Sequence, residues 1–411
     1  MNNAAQNHTD ANEEAVVRCA WLLNPAQTPQ QNVRLTLADG VVHAIEPVPT
    51  DELPLVRPMV LMPQFVNAHT HLEFSALSQP LEPQAPFSDW IRSVMAFRHG
   101  QTEAVADSVR RGVDESLATG ISLLGEITTS DEGGAAFQDA CAQRQVAGVS
   151  FREAIGLQRD GIDDQLAILQ RHLDIPQTPQ LKTGLCPHAP YSVHPELFEY
   201  VVDLAIRHNR PVAMHLAETE DELELLDRQS GMFVDFLQSL QLWDASVFQP
   251  GRTVLDYLKK LAQARHALAI HGNYLQADEI RFLSRHRNVT VVCCPRTHGW
   301  FGHRPHPWKQ LRSAGARVIL GTDSRASNPD LAVWRELQYV AGQGSDPIWN
   351  LLPMITTSAA TAMGCPADPF RISVDYPLRA TAMPCTAESA EQLHCDLTQT
   401  RELPHPFEPV S

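Results

Sequence analysis

Short apolar runs of strand length recur along the middle of this chain, separated by longer stretches with apolar residues at helical spacing. The runs are LMPQFVNAHTH (61–71), GISLLGEIT (120–128), QVAGVSFREA (145–154), LKTGLCPHAP (181–190), PVAMHLAE (211–218), HALAIHGNY (266–274), NVTVVCCPRT (288–297) and ARVILGTDS (316–324). Between them lie FSDWIRSVMAFR, EAVADSVRRGVDESLA, DDQLAILQRHL, PELFEYVVDLAIRH, DELELLDRQ and DEIRFLSRH. Eight such alternations predict an α/β fold of the (β/α)8 TIM-barrel type. An open doubly wound sheet shares the alternation. Polar residues separate the two, because they stand at the C-terminal end of nearly every run, where a barrel gathers them at one mouth.

Residues 61–364 are read as this barrel. Residues 1–60 hold a tail to about residue 15, then β-like stretches (AVVRCAWLL and VRLTLADGVVHAIEPV) in which Asp39-Gly40 supplies a hairpin turn. That segment is too small to stand alone. Residues 365–411, with FRISVDYPLRATAMPC and an acidic, proline-rich end, are expected to complete it as a small β-sandwich built from both chain ends.

The chain has 411 residues, with 32 Lys+Arg against 48 Asp+Glu, a net charge of −16 that excludes nucleic acid and anionic membrane surfaces as partners. No stretch approaches the roughly 18 apolar residues of a membrane span. The opening MNNAAQNHTDANEEA lacks a basic cap and an apolar core, so no signal peptide is expected. Eight cysteines without a CxxC pair suit a reducing, cytoplasmic setting. The 18 histidines are the feature that composition leaves unexplained.

Their placement carries the chemistry. His69 and His71, at i and i+2 of a strand, point to one side. In that reading Phe65 and Asn67 share their face, while Val66 and Ala68 look toward the helices. The fifth run places His215 inward, with Glu218 in the loop above. The sixth places Ala267, Ala269 and His271 inward with Leu268 and Ile270 outward, and the eighth places Asp323 inward. One lone buried histidine is most simply a hydrogen-bonded core residue. Five polar residues ending four strands on the inward phase are not. Imidazoles and a carboxylate so gathered suit a borderline divalent ion such as zinc.

NAHTH, GLCPHAPYSV, MHLAETEDE, IHGNYL and GTDSRASN, in this order across 61–364, resemble the amidohydrolase superfamily. The branch they are most similar to comprises aminohydrolases that deaminate adenine-type nucleosides and related heterocycles. The resemblance implies that His69, His71, His215 and Asp323 hold one divalent metal. It further implies that Glu218 shuttles protons, that His271 steadies the attacking hydroxide and that His188 contacts substrate. Asp323 would also hydrogen-bond the hydroxide. No lysine stands at the end of the fourth run, where a binuclear relative carries a carboxylated one, so one metal is expected. Zinc is the default, and ferrous iron suits the same donors. The glycine-rich C-terminal strand usual in such β-sandwiches is not readable after Gly364.

The partners expected are a small heterocyclic substrate and water, with a homodimer left open. Candidate substrate contacts lie in the loops after the strands: Trp90, Glu126, Arg152, Glu153, His188, Arg296, His298, His303 and Arg325. CPRTHGWFGH and NAHTHLEFS also look like deaminases of aminofutalosine, an adenine nucleoside bearing a benzoate. An arginine with two histidines suits an anionic group, so Arg296 is expected among its contacts. Three alternatives stay open. One is a hydrolase of triazines, guanine or another amino-heterocycle. Another is a binuclear hydrolase, and the last is a metal-binding scaffold without catalysis.

Overall fold

The computed structural model describes residues 14–101, 103–248, 251–344 and 346–409; most of the expected N-terminal tail lies outside them. Two sheets organise the chain. The strands are β1 (Glu14–Leu22), β2 (Gln30–Ala38), β3 (Val41–Pro47) and β4 (Arg57–Pro63), then β5 (Phe65–Thr70), β6 (Ile121–Thr128), β7 (Ala147–Ala154), β8 (Leu181–Pro187), β9 (Val212–Leu216), β10 (Ala267–His271), β11 (Val289–Cys293) and β12 (Arg317–Leu320). Last come β13 (Ala380–Pro384) and β14 (His405–Phe407).

β5 to β12 form a parallel sheet in strict chain order. A parallel bridge between Thr70 and Asp323 closes it into a barrel, with the Asp323 N–H donating to the His69 carbonyl at 3.0 Å. Beside this bridge the Asn67 side chain donates to Thr322 Oγ1 at 2.7 Å and accepts from the Thr322 N–H at 3.1 Å. The first and last strands are therefore stitched together within a few residues of the candidate metal ligands.

The other sheet has the order β14-β13-β4-β1-β2-β3, so it draws on both chain ends as expected. A bridge from Val41 to Pro377 ties β3 back to the segment that leads into β13. The sheet thus rolls around its own core of Cys19, Val33, Leu35, Leu61, Ile372 and Ala382. Leu61–Pro63 belong to this sheet rather than to the barrel. The chain changes sheets at one peptide, since Gln64 N–H donates to Arg379 and Phe65 N–H donates to Gly120.

Two facing assignments read from period-two alternation are corrected. Phe65 stacks on Trp334 of the outer helix Val333–Gly342, with ring centroids 5.6 Å apart. Val66 and Ala68 instead pack inside with Leu123, Val149, Ala213, Leu268 and Ile270. Leu268 and Ile270 are therefore interior, opposite to the expected phase. The pairing of β5 with β6 shifts register on either side of Val66 and Asn67, which brings His69 and His71 inward. His271 reaches the site because its φ is +68°, a left-handed conformation that turns the ring across the strand end.

One excursion covers the mouth. α1 (Phe87–Gly100) lies between β5 and β6 with Asp89 in its first turn and Arg98 and His99 in its last, both favourable to the helix dipole. Its residues 90, 94 and 98 recur every fourth position, so Trp90, Val94 and Arg98 share the face turned to the cavity.

Candidate active site

His69, His71, His215, His271 and Asp323 are all buried at the barrel mouth. Asp323 Oδ1 lies 3.5 Å from His69 Nε2 and 3.7 Å from His71 Nε2. His71 Nε2 and His215 Nε2 face each other at 3.3 Å. The His215 Nδ1–H donates to the His188 carbonyl at 3.1 Å, which leaves the Nε2 lone pair directed at the cluster. His69 is completely buried, yet neither of its ring nitrogens makes a hydrogen bond. Converging lone pairs and orphaned imidazole nitrogens are costly without a shared partner. A divalent cation among three imidazoles and a carboxylate resolves the convergence and takes up one of the two His69 nitrogens, so the residues fit a metal ion.

Glu218 stands beside this cluster, its Oε1 3.3 Å from His271 Nε2. Burial pushes its carboxyl well above the ordinary range, and the neighbouring Asp323 and Glu222 carboxylates add to the shift. Three residues here adopt left-handed backbone: Ala217 (φ +53°), His271 (φ +68°) and Asp323 (φ +60°). Strain of this kind in non-glycine residues persists where the surrounding contacts over-determine it.

Above the cluster opens a cavity of about 470 Å³, within the range of small-molecule sites. Glu218, His271, Asp323, His188 and Glu153 form its polar floor, and Phe74, Trp90, Tyr191, Phe236, Leu237 and Ile155 are among its walls. His188 gives Nδ1 to the Ser192 hydroxyl at 2.5 Å, and burial holds its pKa down at about 3, so the ring is neutral. Among the described residues lining the cavity, Arg98 supplies the one guanidinium. It lies over the Phe74 ring at 5.2 Å and is oriented by Glu73 at 2.6 Å. The sequence reading missed Arg98; its signal was the repeat at every fourth position, Trp90, Val94 and Arg98, which puts it on one helix face with Trp90.

The structure brings together His69, His71, His188, His215, Glu218, His271 and Asp323, but it moves six expected substrate contacts away from the cavity. Among them, His298 bonds the Arg304 carbonyl at 2.7 Å and Arg325 pairs with Glu115 at 3.0 Å. Arg296 is held by a two-point ion pair with Asp330, at 2.7 and 2.9 Å, and lies 3.7 Å from buried Glu336. Arg152 turns to Asp131 at 3.1 Å and to the Thr128 carbonyl. Glu126 points to the outer side of β6, accepting from Thr70 Oγ1 at 2.5 Å and from the Leu72 N–H at 2.9 Å. It brackets His71 rather than reaching the cavity. His303 Nδ1 bonds the Tyr274 hydroxyl at 2.9 Å. In each case a nearby protein group engages the side chain, a pairing that loop position alone does not reveal, although Arg152 Nε, His298 Nδ1 and His303 Nε2 make no hydrogen bond.

A prediction follows for Arg296. Arg296→Ala leaves the fully buried Glu336 without its cation and is expected to cost about 3 kcal/mol of stability. Denaturant unfolding checks this. The ratio of turnover on plain and carboxylate-bearing nucleosides should stay unchanged.

An eight-stranded barrel with a metal-binding cluster at its mouth and a carboxylate beside it defines a metal-dependent hydrolase. The chain belongs to the amidohydrolase family, whose model matches residues 60–368. It is 31% identical over 293 residues to the aminodeoxyfutalosine deaminase of Deinococcus radiodurans, covering 68% of this chain and 67% of that one. It is 26% identical to the aminodeoxyfutalosine deaminase of a Nitratiruptor species, covering 74% and 73%. Among solved structures it resembles the Helicobacter pylori aminofutalosine deaminase in complex with methylthio-coformycin. That match has a TM-score of 0.80 at 21% identity, over 96% of this chain and 98% of that one. An adenosine deaminase from Xanthomonas campestris with bound zinc gives a TM-score of 0.73 at 22% identity, over 93% and 88%.

Proposed function

We propose that this chain hydrolyses the exocyclic amine of an adenine-type nucleoside, releasing ammonia, with one zinc ion held by His69, His71, His215 and Asp323. The observation that carries the proposal is the position of Glu218, 3.3 Å from His271 on the floor of a mostly apolar cavity beside the metal-binding donors. A metal-binding scaffold has no use for a buried, elevated carboxyl there.

A bound divalent ion supplies Lewis acidity that brings the pKa of water toward neutrality. Glu218 takes one proton as water adds to the carbon bearing the amine and gives it to the adjacent ring nitrogen. It then takes the second from the newly added hydroxyl, which becomes the carbonyl, and passes it to the departing amine. The C–N bond breaks, a C–O bond replaces it, and ammonia leaves. Its raised pKa suits a group that must both accept and give a proton near neutral pH. His271 faces Glu218 and orients the water. His188, neutral near pH 7 because burial holds its pKa at about 3, offers Nε2 toward the substrate ring.

The preferred substrate in this reading is an aminofutalosine-type nucleoside with a carboxylate tail. Its support is the pair of aminodeoxyfutalosine deaminases among the relatives and Arg98 on the cavity wall. A cytoplasmic setting is favoured by eight cysteines that are all free. Among the described residues no helix is long and apolar enough to cross a membrane.

Ammonia release from adenosine, 5′-methylthioadenosine, S-adenosylhomocysteine, aminodeoxyfutalosine and guanine, with chloride release from a chlorotriazine, tests the proposal. Turnover is expected with the adenine nucleosides, and fastest with aminodeoxyfutalosine. Turnover confined to triazine or guanine would reassign the leaving group, and none at all would favour the scaffold.

A further inference from the structure

Four hydrogen bonds fix the two peptides on which Glu218 stands. Glu222 accepts from the Ala217 N–H through Oε1 at 2.8 Å and from the Glu218 N–H through Oε2 at 3.0 Å. On the other side, the Ala217 carbonyl accepts from the Tyr274 N–H at 3.1 Å and the Glu218 carbonyl from Asn273 Nδ2 at 2.9 Å. Asn273 and Tyr274 follow His271 in the chain. The same bonds therefore tie the loop carrying Glu218 to the loop carrying His271.

The helix Glu220–Arg228 begins at the N-cap Thr219, whose hydroxyl accepts from the Glu222 N–H at 3.1 Å. Glu222 is its third residue, the position from which a capping-box carboxylate returns to the N–H of the cap itself. Two other helices in this chain do that: Asp256 bonds the Thr253 N–H at 3.0 Å and Glu279 bonds the Gln276 N–H at 2.9 Å. Glu222 instead reaches past the cap to the two residues before it. It does so while completely buried, although burial pushes its carboxyl up to about 7. Capping can be done at the surface without that cost. What the buried fork adds is a fixed left-handed turn at Ala217 and a fixed origin for the Glu218 side chain.

We propose that Glu222 is a positioning residue for Glu218, clamping its backbone so that the carboxylate meets the substrate in one geometry. The proposal rests on the reading of Glu218 as proton carrier. Glu222→Gln keeps the size of the side chain but offers one acceptor to two N–H groups and turns an amide NH2 toward the other. Its kcat should fall about 10²-fold, since displacement near 1 Å at a reacting group costs that much. KM and bound metal should stay within about 2-fold of the parent, because the cavity wall and the ligands are untouched. Asn273→Ala, which frees the Glu218 carbonyl, should show the same split to a smaller degree and serves if Glu222→Gln does not fold. Leu226→Ala, on the same helix and packed outward, should lower Tm while leaving kcat at a permissive temperature intact.

An unchanged kcat in Glu222→Gln would overturn the clamp, as would a loss of metal or a matching kcat loss in Leu226→Ala. Glu218→Gln run in parallel separates the two ideas. If that variant keeps its turnover, the proton-carrier reading fails; if it is inactive while Glu222→Gln is not impaired, the clamp alone fails.

Discussion

Glu218→Gln is expected to lower kcat by about 10²–10⁴-fold, the range of a positioned proton-transfer group. The amide matches the carboxylate in shape, so the contact with His271 and the fold around it survive. It cannot accept a proton from water or return one to the ring nitrogen and the amine. Metal content should match the parent, because Glu218 is outside the proposed donor set of three imidazoles and Asp323. Single-turnover assays with nucleoside, alongside metal analysis and a melting curve, distinguish a chemical defect from a folding one. Retention of even a tenth of the parent kcat would remove Glu218 from the reaction.

Stripping the metal should have an effect at least as large. Dialysis against a chelator is expected to reduce deamination to background, and one equivalent of zinc per chain should restore it. A count of two ions would instead support a binuclear centre. Tm should fall with the metal, since ion at 100-fold above its Kd contributes about 2.7 kcal/mol to the folded state. The direct reason is the 3.3 Å approach of His71 Nε2 to His215 Nε2, together with the unpartnered nitrogens of His69. Ferrous iron in place of zinc tests how far the donor set discriminates between the two.

Much of this centre was legible in the residues. His69-Thr70-His71, His215, Glu218, His271 and Asp323 stand at or just past the ends of four of the eight barrel strands, and strand ends are where a barrel places chemistry. What alternation mispredicted was the route by which some of them arrive. His271 sits on the phase opposite to the interior Leu268 and Ile270, and a positive φ brings it in. A two-residue period assumes regular strands, and it fails where a register shift or a left-handed residue intervenes. Specificity was less legible still. Arg296 looked free because its partner Asp330 is 34 positions away. Arg98 escapes a reading that seeks contacts in the loops after strands, because it belongs to a helix. Whether an arginine is spent on a neighbour depends on tertiary distance, which composition and spacing do not encode.

The stitch between Asn67 and Thr322 joins residues 255 positions apart. Contacts of such separation form late, because the loop between them must be closed before they reward the chain. During synthesis, which proceeds from the N-terminus, His69, His71 and His215 emerge long before Asp323 does. The proposed metal site is therefore completed only when the last strand docks against the first, so closure of the barrel and assembly of that site are one event.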